Sequence, residues 1–155
     1  MTFQIHALPA EPFEPLFRLS DGELAARKAR RMIVSEHPGT PCRVSLADAE
    51  IGDTVILLNH QYLPTQSPYA ASHAIYVREG VPSAEPAPGE VPAVLRTRLI
   101  SVRAFDVTDM MIHADAVPGT ALEEMLEEGL SLRGAAYIHL HYAKAGCYAA
   151  KVTKA

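Results

Sequence analysis

The sequence predicts an α+β fold: a mainly antiparallel, strongly curved or barrel-like β-sheet of about six to eight strands with two helices. Three observations carry this. Apolar and polar residues alternate over residues 3–7, 72–78 and 93–105. Two segments, about 20–33 and 120–132, open with capping-box spacing. Pro/Gly clusters separate these runs.

In chain order, residues 3–7 form a first strand. Pro9, Pro12 and Pro15 then forbid regular structure, because each lacks a donor and restricts the residue before it. Ser20 and Glu23 can bond each other's amides, so a helix over about 20–33 should follow. Its Arg27, Lys28, Arg30 and Arg31 read as a solvated face. The turn His37-Pro38-Gly39-Thr40-Pro41 ends it. Residues 42–46 alternate as a strand, with Cys42, Val44 and Leu46 on one face and Arg43 and Ser45 on the other.

Thr54-Val55-Ile56-Leu57-Leu58 is continuously apolar, as in a strand buried on both faces. A loop over 61–71 with Tyr62 and Tyr69 leads to a strand over 72–78. Residues 79–92, with four prolines, read as an exposed loop or lid. Residues 93–105 alternate as one long strand, and 110–115 as another. The second helix, about 120–132, is opened by Thr120 and Glu123. It places Leu122, Met125, Leu126 and Leu130 on one face, which should lie on the sheet. Residues 136–142 and 147–152 pair as a C-terminal hairpin, central or next to central in the sheet.

The chain has 155 residues, which suits a single domain over 1–155. Lys and Arg number 14 against 18 Asp and Glu, a net charge of −4, without the basic excess of a nucleic-acid binder. No apolar run approaches the roughly 18 residues of a membrane span. The N-terminus lacks a charged region followed by an apolar one, so no signal peptide is expected and the expected address is cytoplasmic. Cys42 and Cys147 are then expected to be reduced thiols.

Several segments resemble a known family. They are Leu19-Ser20-Asp21 with Glu23-Leu24, Pro41-Cys42-Arg43-Val44-Ser45-Leu46 with Asp48-Ala49, Ser67-Pro68-Tyr69 with His73-Ala74-Ile75 and Val77-Arg78-Glu79, and His139-Leu140-His141 with Ala143 and Gly146-Cys147. Together they are similar to the bacterial domain-of-unknown-function family 1203. The resemblance implies a small stand-alone bacterial protein and no assigned activity, so the chemistry rests on the residues.

The densest group of reactive side chains lies between Tyr137 and Tyr148. In a strand His139 and His141 share one face with Tyr137, roughly 6.5 Å apart along the chain. Three readings stand open. The first is a pocket that binds or converts an anionic metabolite. In it His139, His141 or His73 would exchange a proton, with Arg43, Tyr69 and Lys144 holding the ligand. The second is a divalent metal on His139 and His141, with His113, Asp115, His73, His60 or a cysteine as third ligand. The third is a non-catalytic interaction module in which these residues are structural. Cys42 and Cys147 are thiol candidates, Cys147 standing close to Lys144 in sequence. No phosphate loop, G-x-S-x-G, H-E-x-x-H or C-x-x-C occurs.

Overall fold

A computed structural model describes residues 2–155 and shows a mixed α+β fold. The strands are β1 (Phe3–His6), β2 (Ala29–Ile33), β3 (Pro41–Cys42), β4 (Ala47–Asp48), β5 (Thr54–Leu63), β6 (Ala71–Arg78), β7 (Leu99–Phe105), β8 (Met111–Pro118), β9 (Tyr137–Tyr142) and β10 (Tyr148–Lys154). The helices are α1 (Asp21–Ala26), α2 (Ala93–Arg96) and α3 (Leu122–Ser131). None of them is long and apolar enough to cross a membrane.

The chain forms two compact units. One holds the N-terminal strand up to His6, Tyr62–Ala71 and Glu85–Ala155; the other holds Ala7–Gln61 and Ser72–Ala84. The expected single curved sheet is instead two five-stranded sheets, ordered β1-β10-β9-β7-β8 and β2-β5-β6-β3-β4, and neither closes into a barrel.

The sheet of the first unit is antiparallel throughout. β9 is its middle strand and β10 lies beside it, as the apolar alternation of the hairpin requires. Ile100, Val102, Ile138, Leu140 and Val152 are fully buried on one face. There α3 lays Leu122, Leu126 and Leu130, also fully buried. Gly129 permits this close approach, since a Cβ there would stand 2.9 Å from Ile138 Cδ1. In the second unit Leu24, Cys42, Val44, Ile56, Ile75 and Val77 form the core.

Five expectations are corrected. The first helix stops at Ala26, and Ala29–Ile33 pairs with β5 as a strand. Lys28 takes a positive φ of 55° between them, which ends the helix. The capping box of Ser20 and Glu23 does form. A run of arginines and lysine propagates a helix well, so tertiary pairing overrode local propensity. Arg31 is not a solvated charge: it bonds Asp21 and the carbonyls of Phe17 and Leu19.

The strand expected over 42–46 covers only Pro41–Cys42, because the chain turns through Leu46 at φ 50°. The long strand over 93–105 divides into α2 and β7. Finally, Thr120 does not cap α3. It sits in a 3-10 turn over Gly119–Ala121, and Ala121 is the N-cap without a side-chain bond. Glu123 pairs with Arg96 instead of reaching back to an amide.

Candidate functional site

The face of the first unit's sheet opposite α3 carries the reactive side chains. Strand register puts them there. His139 is the direct cross-strand partner of Arg103 on one side and of Lys151 on the other. His141 lies between Ser101 and Tyr148, and Tyr137 beside Phe105. Directly paired residues point to the same face. The sheet therefore presents a row Lys151–His139–Arg103 next to a row Tyr148–His141–Ser101.

Aromatic rings wall this face. Tyr62 stacks on Tyr148 with centroids 5.4 Å apart and stands edge-on to His141 at 4.9 Å. Phe105 and Tyr137 stack at 5.2 Å, and both flank His139. His139 is 3% exposed and His141 0%.

The hydrogen bonds fix individual roles. Arg103 Nη1, which can only donate, faces His141 Nε2 at 3.4 Å. His141 Nε2 is thus the acceptor, and Nδ1–H donates to the Gly146 carbonyl at 3.0 Å. Arg103 Nε donates to Ser101 Oγ. Lys151 Nζ sits 4.7 Å over the Tyr137 ring, a cation–π contact. Among the described residues neither cation forms an ion pair with a carboxylate. His139 Nδ1 is buried and has no hydrogen-bond partner.

Asp109 borders the cluster in a left-handed conformation, φ 61°. It accepts from Tyr137 Oη at 2.6 Å and from Thr65 Oγ1 at 2.7 Å, and these bonds hold its carboxyl below the usual range. Burial, then the Asp109 bond, raises the Tyr137 phenol well above its ordinary value. Ser67 Oγ donates to the Asp109 carbonyl, so Thr65 and Ser67 pin the 64–70 loop beside the site. His139 is pushed down to about 3, first by burial, then by the fields of His141, Lys151 and Arg103. Arg103 and Lys151 add a positive field at this imidazole, which the Asp109 carboxylate opposes.

Residues 39–154 match the model of a family described as "Protein of unknown function (DUF1203)". The chain belongs to this family. No curated protein and no solved structure matches it.

The residues singled out in this DUF1203 chain divide between the two units. His139, His141, Tyr69 and Lys144 belong to the first; Arg43 and His73 belong to the second. Tyr69 is 38% exposed and stands edge-on to Phe105 at 6.0 Å. Lys144 is exposed in the hairpin turn. His73 is half-buried with Nδ1 3.1 Å from the Ala74 carbonyl. Arg43 is buried and stitches its unit together: Nη1 donates to the Pro41 carbonyl, its amide to Tyr76, and its carbonyl accepts from Leu8. That unit also holds a cavity of about 260 Å³ lined by Phe13, Phe17, Val44, Val77 and Arg18 among others.

Both cysteines are buried and free. Cys42 Sγ accepts from the amides of Ser45 and Arg78, a structural use of the thiol.

Among the described residues no three His, Cys, Asp or Glu are grouped to hold an ion. His113 and Asp115 pair with Ala104 and Val102, whose side chains point to the α3 face, away from His139. His141 has one nitrogen on a carbonyl and the other facing a guanidinium. Sequence reasoning missed Arg103, Lys151, Tyr62 and Asp109 as partners of the histidines. The alternation over 99–105 did place Ser101 and Arg103 on one face, but nothing local says that this strand lies beside β9.

Proposed function

We propose that this DUF1203 protein binds a small anionic metabolite, of the carboxylate or phosphate class, over the Lys151–His139–Arg103 row. One observation carries the reading: two cations flank a buried imidazole, and among the described residues neither forms an ion pair with a carboxylate. A half-buried guanidinium normally finds an anion, because desolvation without one is costly. Here its companions are a serine hydroxyl and an imidazole lone pair. An anion supplies the missing charge, and Arg103 offers a fork suited to carboxylate or phosphate oxygens. The rings of Tyr62, Phe105, Tyr137 and Tyr148 suit an apolar or planar ligand body.

The reading is binding rather than acid–base chemistry. A general base works best with a pKa near the operating pH, and His139 at about 3 is far below it. His141 is a positioning residue: its fixed tautomer holds Arg103 in place.

Thermal-shift and calorimetric titration with small carboxylates and inorganic phosphate tests this. Binding should raise the melting temperature. Arg103→Gln and Lys151→Gln should each weaken it by about tenfold, the scale of one charge-assisted hydrogen bond. If no anion stabilises the protein, or if binding survives both substitutions unchanged, the reading fails.

A further inference from the structure

We propose that β8 is a self-pairing edge: two copies of this chain join antiparallel through residues 112–116, about a two-fold axis at Ala114. The two edges of the first unit's sheet are treated differently. At β1 the edge is covered. The Gly89 amide donates to the Phe3 carbonyl and Gln4 Nε2 donates to the Pro86 carbonyl, so the proline-rich stretch lies along it. At β8 all of residues 112–116 are exposed, Ile112 at 41%. Among the described residues none supplies a strand on that side. An open edge of this length is a template for another strand unless something blunts it.

Backbone parity shows which groups are free. The Gly119 amide donates to the Arg98 carbonyl at 2.8 Å, which fixes the ladder phase. Asp115 and His113 therefore bond β7, while Ala114 and Ala116 turn their amides and carbonyls outward. The Ala116 amide is met by the carboxylate of its own neighbour, Asp115, at 2.7 Å. That is a stopgap for an edge amide without a strand partner.

The occupant is a second copy because the edge is complementary to itself. An antiparallel two-fold at Ala114 sets His113 opposite Asp115 of the second copy, and Asp115 opposite its His113. These are non-hydrogen-bonded sites of the new ladder, where side chains come closest. Each imidazole N–H then donates to a carboxylate, and the contact occurs twice. Ala114 exchanges both backbone bonds with Ala114, and Ala116 reaches Ile112. On the other face the side chains of Ile112, Ala114 and Ala116 meet, small enough in the centre to let the strands approach. The bulge at Ile112, the extra residue between the Ala104–His113 and Phe105–Met111 pairs, limits the ladder at that end. Such an interface is isologous and closes at two copies.

Sedimentation velocity over a concentration series tests the proposal. The wild-type chain should shift from its 16.8 kDa mass toward twice that value as concentration rises. Ala114→Pro removes the central donor without touching the ladder to β7 and should leave a monomer. His113→Asp sets carboxylate against carboxylate twice and should weaken association at least about tenfold. The exchange H113D/D115H restores complementarity and should recover it. Circular dichroism, and melting at concentrations low enough for every chain to be monomeric, should be unchanged in all variants, since these positions lie on an exposed edge. A wild-type chain that stays at monomer mass overturns the proposal. So does a dimer that His113→Asp and Ala114→Pro leave intact.

Discussion

At His139, burial and charge act in the same direction. The ring is desolvated and lies between Arg103 and Lys151, so protonating it in the folded state is unfavourable and its pKa falls to about 3. In the unfolded chain the pKa returns to about 6.5. Between these values the unfolded state holds a proton that the folded state lacks, so stability falls as pH drops from about 6.5 toward 3. The loss should be on the order of a few kcal/mol for this group. Denaturant melts at successive pH values measure it, and His139→Phe should flatten the slope over that window. A bound anion cancels part of the positive field of Arg103 and Lys151 and raises the His139 pKa. Ligand affinity should then increase as pH falls, which NMR titration of the ring would follow.

At the element scale, the turn between β8 and α3 depends on one glycine. A Cβ on Gly119 would lie 1.8 Å from the Leu95 carbonyl oxygen and 2.6 Å from Arg96 Cα. Both are backbone atoms of α2, which cannot swing aside as a side chain can. Gly119→Ala should therefore destabilise the protein by about 3 kcal/mol or more, read by urea denaturation. Gly129→Ala makes a useful contrast. Its obstacle is the end of the Ile138 side chain, so the cost should be smaller. The same turn explains why the expected cap at Thr120 is absent. The Gly119 amide is committed to Arg98, and Arg96 takes the Glu123 carboxylate that would have closed the box.

At the scale of the molecule, protection should follow sheet position. β9 is buried along its whole length at the centre of its sheet, while β8 is exposed on its edge. Native-state hydrogen exchange should find the amides of Ile138, Leu140 and Val152 among the slowest. Those of Ala114 and Ala116 should exchange fastest within the strands at low protein concentration. Exchange as slow in Ala114 as in Leu140 under those conditions would contradict this ordering.

The sequence alone determined the α+β class, the first and last strands, the amphipathic α3, and the co-orientation of Tyr137, His139 and His141. Those features follow from local periodicity, which a single element reveals by itself. Only the tertiary structure decided that residues 29–33 pair with β5 rather than extend α1, because a basic run has no periodicity strong enough to choose. Only it decided what faces His139. Arg103 and Lys151 lie 36 positions before and 12 positions after that histidine in the numbering, and their meeting is a matter of strand register. Register is a property of pairs of strands, and no single stretch of chain contains it.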